Sequence, residues 1–290
     1  MGLLVTGVVL LCVIAGVVVY DTNRFVIKRY ELQDGRLTGD YHFVVLSDLH
    51  GKSFGKENER LLNAIDACRP DAVFVAGDMI TAVPKADHSK AIKLIQDLSE
   101  KYPVYYGSGN HEYRMEIYPK KFGNTSKQFE EDIRHPNLIR LKNNRYFIPG
   151  KNIQVLGVDI DREYYKKLGA PKMTAEYLRE KLGKTDSGCY SILIAHNPDY
   201  FPIYAEYGAD LVLSGHVHGG IARMPLLGGV ISPALRLFPK YDGGLFKKNG
   251  KTMILSRGLG THTLPIRFFN PGELVEVTIS SCPIANKPKM

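Results

Sequence analysis

Short apolar segments of strand length recur along this chain and limit it to an alternating architecture. They are residues 41–46, 72–76, 104–106, 153–158, 191–195 and 211–213. Two segments with apolar residues at helical spacings of three and four, residues 58–68 and 91–98, lie between the first three. Strands alternating with short crossover helices predict an α/β domain with a largely parallel sheet. Because we find no internal repeat and no low-complexity linker, we interpret residues 23–290 as one domain.

The polar residues that follow these segments are of a restricted kind, because all of them can bind metals or transfer protons. They are Asp48, His50, Asp78, Asn110, His111, His196, His216 and His218. Each has an ordinary explanation when it is taken alone, since aspartates after strands commonly cap helices and asparagines among glycines commonly form turns. Ligand sites of open α/β sheets, however, gather beyond the carboxyl ends of the strands. Five separate strand ends carry such residues here, so we expect them to share one site.

Two aspartates, one asparagine and four of the histidines in this set suit a pair of divalent metal ions. If one carboxylate is shared, seven ligands give four to each ion, with the ions about 3.5–4 Å apart and positions left for water and substrate. His216 and His218 are two residues apart, as are Asp48 and His50, so each pair can face one cavity from an extended segment. Mixed imidazole and oxygen ligands favour Mn, Fe or Zn over Mg.

The order of these motifs resembles that of the calcineurin-like metallophosphoesterase superfamily. Its signature of D-x-H, G-D, G-N-H-[DE], a single H and G-H-x-H corresponds here to residues 48–50, 77–78, 109–112, 196 and 215–218. The resemblance spans residues 41–218 and implies a four-layer α-β-β-α sandwich of two mixed sheets. Residues 195–199, 214–220 and 256–260 further resemble a bacterial membrane-anchored subgroup of phosphoesterases similar to YkuE and YaeI. A UDP-diacylglucosamine pyrophosphatase is an alternative within this resemblance.

Carried over by position, the resemblance implies a role for every motif residue. One metal is implied to lie on Asp48, His50 and His218, the other on Asn110, His196 and His216, with Asp78 bridging the two. His111 is implied to contact the substrate phosphate or the leaving group without binding metal, and Glu112 to support a histidine. The implied reaction is hydrolysis of a phosphomonoester, phosphodiester or pyrophosphate bond by metal-bound hydroxide, without a covalent phosphoenzyme.

Residues 3–20 are 18 consecutive residues without a charge. At about 1.5 Å per residue, a helix of this length just spans a bilayer core of about 30 Å. No Lys or Arg precedes the segment and residues 17–20 are bulky, so we expect a single membrane span within residues 1–22 rather than a cleaved signal peptide. Basic residues that follow it, Arg24, Lys28, Arg29 and Arg36, favour a cytoplasmic catalytic domain.

Positive charge is concentrated near the carboxyl end of the chain. Residues 219–290 contain ten Lys and Arg against three Asp and Glu, which is +7 of the formal net charge of +8. This excess suggests an anionic partner such as a membrane surface or a phosphorylated substrate, and the alternative is a basic soluble face. Residues 219–246 are interpreted either as a lid near the membrane or as an excursion packed on the sheet edge. Arg257 and Arg267 are candidates for a phosphate clamp.

Two other classes of function remain open at this point. A nuclease-type phosphodiesterase fits the basic carboxyl-terminal quarter, although a membrane anchor restricts access to long polymers and we find no stacking platform of aromatic residues, so we do not expect a nucleic acid partner. A non-catalytic metal-binding scaffold on the same fold is the other class. Such scaffolds typically lack some of the metal-binding residues, whereas all seven are present in this sequence. We therefore expect a phosphate-ester substrate, which can be a phospholipid or a nucleotide-lipid. The sequence identifies no protein partner, and four cysteines without CxxC spacing predict no disulfide framework.

Overall fold

The structure is a computed structural model that describes residues 2–166, 169–220, 222–224, 228–231, 237–261 and 266–282. The α-helices are α1 (Gly2–Thr22), α2 (Glu59–Cys68), α3 (Ser89–Lys101), α4 (Asn110–Ile117), α5 (Pro119–Phe122), α6 (Thr125–Asp132), α7 (Ala175–Leu182) and α8 (Phe201–Tyr207). The strands are β1 (Phe25–Gln33), β2 (Tyr41–Leu46), β3 (Ala72–Ala76), β4 (Val104–Gly107), β5 (Leu138–Leu141), β6 (Asn144–Ile148), β7 (Ile153–Gly157), β8 (Tyr190–Ile194), β9 (Leu211–Ser214), β10 (Ala222–Met224), β11 (Gly228–Ile231), β12 (Gly244–Lys248), β13 (Lys251–Leu255) and β14 (Gly272–Ser280). Short 3-10 helices lie at Lys56–Asn58, Arg162–Tyr165 and Pro198–Tyr200.

Twelve of these strands form two six-stranded sheets. The first sheet has the order β1-β14-β2-β3-β4-β5, and only its β14–β2 pair is antiparallel. The second has the order β12-β13-β9-β8-β7-β6, with parallel pairs in its centre and one antiparallel pair at each edge. The expectation of a largely parallel sheet therefore holds for the sheet centres, but there are two sheets and both are mixed.

The two sheets face each other and carry helices on their outer faces. Phe43 and Val44 are successive residues of β2, and because side chains alternate across a strand they belong to different cores. Phe43 packs between the sheets with Ile192 of the second sheet, whereas Val44 packs outward with Leu94 of α3. The outer face of the second sheet packs on α7 and α8. These layers confirm the four-layer α-β-β-α sandwich of two mixed sheets.

Carboxyl ends of the central strands of both sheets meet at one edge of the sandwich. In the first sheet, the backbone N–H of Asp48 donates to the carbonyl of Gly77, at 2.9 Å. In the second, the N–H of Gly215 donates to the carbonyl of His196, at 3.1 Å. The His196 ring lies 2.6 Å from the carbonyl of Ala76 at the end of β3 and so connects the two sheets. The loops that hold the motif residues are therefore joined to one another.

Helix α1 precedes the sandwich, and most of its large apolar side chains are exposed. Its segment Leu4–Thr22 is long and apolar enough to cross a membrane, a property that a membrane span and a signal sequence share. The carboxyl end of the helix contacts the sandwich, because Asp21 is buried and forms an ion pair with Arg24 at 2.8 Å. The expected boundary between residues 22 and 23 stays a prediction.

Several elements are not predicted by the sequence patterns. Among them are the helices α4 to α8 and the strands β1, β5, β6, β12, β13 and β14, which include the outer strands of both sheets. Within residues 219–246, the described part forms the hairpin of β10 and β11 and the beginning of β12. Residues 221, 225–227 and 232–236 of the interpreted lid lie outside the described residues.

Candidate metal centre

The loop after β2 brings Asp48 and His50 to the shared edge of the sandwich. Their φ angles of 51° and 48° are left-handed, a conformation that is uncommon for residues with a side chain. Asp48 is completely buried. Its two carboxylate oxygens accept hydrogen bonds from the backbone N–H of His216, at 2.9 and 3.1 Å. This contact fixes the loop after β2 to the loop after β9.

Asp78 follows β3 and faces the amino end of α4. Its Oδ1 accepts a hydrogen bond from the backbone N–H of His111 at 2.8 Å, where the helix dipole favours a negative charge. Glu112 fixes the same loop, because its carboxylate accepts from the backbone N–H groups of Asp78 and Gly109, both at 2.9 Å. Two more N–H groups of this loop and a tyrosine hydroxyl donate to it as well. The expectation that Glu112 supports a histidine is wrong, since it binds the backbone that carries Asp78.

Two motif glycines are required by the close approach of backbone to these carboxylates. A Cβ added to Gly109 would collide with Oδ1 of Asp78. A Cβ added to Gly215 would collide with Oδ2 of Asp48. Glycine is therefore the residue that lets the loops after β4 and β9 reach the two aspartates.

His111 lies in the first turn of α4 and is 7% exposed. Its Nδ1 accepts a hydrogen bond from the backbone N–H of Ala82 at 2.8 Å. Because an accepting nitrogen carries no proton, the neutral ring holds its proton on Nε2. A ring nitrogen of His111 also lies within 4.8 Å of ligand atoms of His50 and Asp78. His111 thus lies in the cluster, and its Nδ1 accepts a hydrogen bond from the backbone.

His196 follows β8 and is completely buried. Its Nδ1 contacts the carbonyl of Ala76, which can only accept, so Nδ1 carries the proton and the lone pair is left on Nε2. This Nε2 lies 3.1 Å from Oδ2 of Asp78 and 3.8 Å from Oδ1 of Asp48. Among the described residues, neither this nitrogen nor the buried Oδ1 of Asn110 has a hydrogen-bond partner. Both atoms are of the type that binds a cation.

His216 and His218 follow β9 with φ angles of 77° and 52°. Nε2 of His218 lies 3.3 Å from Oδ1 of Asp48 and 3.2 Å from Nε2 of His50. The ring of His216 instead lies against that of His196, with 5.3 Å between the ring centroids. The two histidines of this motif therefore lie at different ends of one cluster, His218 beside Asp48 and His216 beside His196.

The carboxylate and imidazole groups fall into overlapping sets whose ligand atoms lie within 4.8 Å of one another. One set is Asp48, His50 and His218, another is Asp78, His196 and His216, and a third is His50, Asp78 and His111. Oδ2 of Asp78 lies 3.1 Å from Nε2 of His196 and 3.9 Å from Nε2 of His50, which are members of different sets. Asn110 begins α4, next to the N–H group that binds Asp78. Seven of the eight residues singled out in the sequence therefore lie in these sets, and the eighth, Asn110, directly precedes His111 in the chain.

The cluster combines two buried carboxylates with few compensating charges. Burial raises the pKa of Asp48 to about 6. The pKa of Asp78 is well below its ordinary value, because attraction by His196 and His111 outweighs the effect of burial. Burial alone would lower the pKa of His196, but the carboxylates of Asp78 and Asp48 raise it to about 10. Without a metal, protonated His196 neutralises part of the negative charge of Asp48 and Asp78. The space between the two carboxylates therefore favours a cation.

The donor set fits divalent metal ions. It contains imidazoles, carboxylates and the two buried atoms without hydrogen-bond partners, all of which are ligand types for divalent metals. Backbone strain is concentrated here, since φ lies between 48° and 77° at Asp48, His50, Asp78, His216 and His218. Strain of this kind costs about 1–3 kcal/mol at each position and clusters at functional sites. The clusters are therefore compatible with divalent metal binding.

A cleft opens beside Asn110. Its lining includes Tyr113 and Arg114 of α4 and Arg162 and Tyr165 of the 3-10 helix Arg162–Tyr165. The ring of Tyr165 also stands 5.1 Å from that of His216. Guanidinium groups bind phosphate oxygens in pairs of hydrogen bonds, so two arginines give this cleft the character of an anion site. Sequence reasoning missed these residues; the one available signal is that Arg114 lies a helical turn after Asn110.

The two arginines considered for a phosphate clamp have internal partners instead. Nε of Arg257 lies 2.5 Å from Oε2 of Glu273. Arg267 is 2% exposed and donates to backbone carbonyls, among them those of Arg257 at 2.9 Å and Gly258 at 3.0 Å. The phosphate-clamp interpretation is therefore wrong, and both guanidiniums stabilise the loops below the centre.

A four-layer sandwich with an Asp/His cluster at the strand ends defines a metallophosphatase-like protein. Residues 41–220 match the sequence model of the calcineurin-like phosphoesterase family. The chain belongs to this family.

Several proteins are similar to the chain. An uncharacterized metallophosphoesterase of Campylobacter jejuni is 30% identical over 258 residues, which are 86% of this chain and 62% of that protein. A putative metallophosphoesterase of Caenorhabditis elegans is 27% identical over 87% of this chain and 50% of its own length. The uncharacterized metallophosphoesterase YkuE of Bacillus subtilis is 24% identical over 83% of this chain and 79% of its own, which supports the YkuE-like subgroup. The chain thus spans only 62% and 50% of the first two relatives.

Among solved structures, the NAD nucleotidase of Haemophilus influenzae matches with 16% identity and a TM-score of 0.42, over 76% of this chain and 50% of that one.

Proposed function

We propose that this chain is a binuclear-metal-dependent phosphoesterase anchored in a membrane by α1. The observation that carries the proposal is the pair of ligand sets on either side of Asp78, whose Oδ2 lies 3.1 Å from His196 and 3.9 Å from His50. One metal would be held by Asp48, His50 and His218, the other by Asn110, His196 and His216, and both by Asp78. The bare lone pairs of Asn110 and His196 support this assignment.

Hydrolysis adds one water molecule across the bond between phosphorus and the leaving oxygen. When bound, the two cations would supply neutralisation of phosphate charge and a lowered pKa for water. The chain itself contributes His111, whose Nε2–H is the proton donor for the leaving oxygen, with Nδ1 held by the N–H of Ala82. Arg114 and Arg162 bind the anionic part of the substrate that lies in the cleft beside Asn110. The sequence carries no serine or cysteine nucleophile motif, which agrees with direct attack by water.

The proposed organisation is an anchor over residues 1–22 followed by a catalytic domain over residues 23–290. Arg24, Lys28, Arg29 and Arg36 after the helix favour the cytoplasmic side for this domain. The substrate we favour is a lipid phosphate ester over a nucleic acid. A membrane anchor restricts the access of long polymers such as nucleic acids to the site.

The test uses the full chain in detergent, freed of metal and then supplied with Mn²⁺, Zn²⁺ or Mg²⁺. Bis(p-nitrophenyl) phosphate is the substrate, and bound metal is counted by elemental analysis. Asp78→Asn removes the shared charge and should lower activity by at least about 100-fold, the upper range for changes in groups that merely support a ligand. Asp97→Asn, which changes an aspartate of α3 that pairs with Lys93, is the matched control. Two tightly held metals and full turnover in Asp78→Asn would refute the proposal.

A further inference from the structure

Large apolar side chains are exposed on the loops at the carboxyl end of α1. They are Met224 (52% exposed), Leu237 (67%), Phe238 (61%), Ile266 (39%) and Phe269 (52%). We call these five residues the apolar rim. Single exposed apolar residues are ordinary on soluble proteins, but a group of them marks a binding surface.

Hydrogen bonds join the segments that carry the apolar rim into one layer. The N–H of Arg223 donates to the carbonyl of Phe268 at 3.0 Å, and residue 222 forms a β-bridge with the same phenylalanine. The N–H of Phe238 donates to the carbonyl of Val230 in β11, the partner strand of β10. The apolar rim is therefore a feature of one connected set of loops.

This layer is attached directly to the end of α1. The backbone N–H of Arg267 donates to Oγ1 of Thr22 at 3.2 Å. Ile266 and Phe269 are one and two residues from Arg267, so their Cα atoms lie within about 8 Å of its Cα. If α1 crosses a bilayer, Thr22 lies near its surface, and the headgroup region there is roughly 5–8 Å deep. The apolar rim then stands at the height of the headgroups.

Charges next to the apolar rim suit the same surroundings. Nζ of Lys52 donates to Oδ1 of Asn23 at 2.8 Å, and a guanidinium nitrogen of Arg60 lies 3.4 Å from the carbonyl of that asparagine. Apolar side chains combined with Lys and Arg are the composition of surfaces that lie in the interface of anionic bilayers.

We propose that the apolar rim inserts into the leaflet from which α1 emerges and holds the metal centre at the bilayer surface. The inference rests on the proposed anchoring of the enzyme by α1, and it deepens the proposed function by identifying the surface that would hold the enzyme against a lipid phosphate ester. A lipid surface is favoured as the occupant because the apolar rim adjoins a helix that is itself long and apolar enough to enter a membrane.

The link from this surface to the metal centre is short. Guanidinium nitrogens of Arg267 donate to the carbonyl of Gly260, at 3.1 Å for Nε. The N–H of Gly260 donates in turn to the backbone carbonyl of Asp48 at 2.7 Å, and its carbonyl lies 3.4 Å from Nδ1 of His218. One buried arginine therefore connects the end of α1 to two candidate metal ligands.

Tryptophan fluorescence tests the insertion, because the chain contains no tryptophan of its own. The full chain is placed in nanodiscs of phosphatidylcholine and phosphatidylglycerol, with and without bromine on the acyl chains. Phe269→Trp reports on the apolar rim, and Tyr20→Trp on α1. Phe147→Trp is the matched control, because Phe147 is similarly exposed (49%) but lies on β6 at the far edge of the second sheet.

Brominated lipid should quench the emission of Phe269→Trp and Tyr20→Trp and leave that of Phe147→Trp unchanged. If brominated lipid quenches Phe269→Trp no more than the Phe147→Trp control, the proposal is overturned. The apolar rim would then contact water or another protein and not the lipid. Loss of quenching in Tyr20→Trp would overturn it as well, because the anchor would be absent. Quenching does not depend on turnover, so an inactive but quenched chain would refute the proposed function and leave the inserted surface intact.

A double variant, Phe238→Glu with Phe269→Glu, addresses the substrate class. Neither residue belongs to the metal centre, so hydrolysis of bis(p-nitrophenyl) phosphate should be unchanged. Hydrolysis of phospholipid in the same nanodiscs should fall, because the charged side chains keep the apolar rim out of the leaflet. An equal rate on phospholipid would count against a lipid headgroup as the substrate.

Discussion

The tautomer of His111 is determined by its surroundings. The N–H of Ala82 donates to Nδ1, so the proton of the neutral ring is on Nε2. A histidine held in this way can donate to a leaving oxygen or to a phosphate oxygen, and the same nitrogen cannot bind a metal while it carries its proton.

We expect His111→Gln to leave metal content near normal and to slow the chemical step. General acid help is worth about 10²–10⁴-fold, so the loss should approach that range for an alkyl phosphodiester, whose leaving alkoxide needs a proton. It should be smaller for a p-nitrophenyl ester, whose leaving group departs without one. Single-turnover rates on both esters, together with elemental analysis, provide the measurement.

His135→Gln is the control, because His135 is distant from the metal centre and accepts only a local hydrogen bond from the N–H of Asn137. An equal loss for both esters would indicate that His111 stabilises the non-bridging oxygens of phosphate instead. Release of metal by His111→Gln would make His111 a ligand.

Residues with distinctive chemistry were predictable one by one. Asp78 and His196 each follow an apolar segment, and Asp and His are among the few residue types that bind metals. The sequence could not predict the role of Glu112, because a carboxylate that binds backbone N–H groups looks the same in a sequence as one that supports a histidine. Arg114 and Arg162 were missed for a related reason: the cleft brings together segments 48 residues apart, and an isolated arginine carries no signal.

At the scale of elements, the amino end of α4 holds the centre in place. Glu112 lies in its first turn, and its carboxylate accepts hydrogen bonds from backbone N–H groups of the loop after β3. The backbone N–H of His111 donates a hydrogen bond to Asp78. Since α4 has only eight residues, most of its stability comes from these contacts and from packing rather than from its length.

Glu112→Gln should destabilise the chain and weaken metal binding. An amide has one acceptor oxygen in place of two, so buried N–H groups lose their partner at a cost of about 1–3 kcal/mol each. We expect a lower midpoint of denaturant unfolding and a higher metal concentration for half-maximal activity. Glu116→Gln on the same helix is the control, because Glu116 is exposed and only pairs with Lys142 at 2.7 Å, a contact worth about 0–1 kcal/mol. Equal unfolding midpoints in both variants would contradict the role given to Glu112.

Two buried strands of the first sheet, β2 and β3, were predicted to the residue. β2 and β3 are continuous apolar runs because helices and the second sheet cover both of their faces. β1 and β12 lie at sheet edges, are partly exposed and carry lysines, so no run of apolar residues distinguishes them. β14 was missed although its alternating apolar and polar residues are typical of a strand.

At the scale of the whole molecule, metal binding should contribute to stability. The buried carboxylates of Asp48 and Asp78 would lose their cations on chelation. A ligand at 100 times its Kd stabilises the folded state by about 2.7 kcal/mol. For a domain of this size, that amounts to roughly 5–10 °C in Tm. A thermal melt of the full chain in detergent, before and after treatment with a chelator, measures the shift.

The Asp78→Asn variant should show a smaller shift on chelation, because it holds less metal to begin with. An unchanged Tm after complete removal of metal from the native chain would contradict this expectation.

The place of β14 in the first sheet has a consequence for the order in which the protein is made. β14 lies between β1 and β2, although it comes more than 220 residues after both of them along the chain. During translation, β1 and β2 leave the ribosome long before β14, the only strand partner of β1 in the described structure, has been synthesised. The edge of β2 that β14 covers is unpaired during the same interval. Pairings at such separation form slowly, so the sheet closes only once β14 has been made, and until then the growing chain exposes two unpaired strand edges to chaperones.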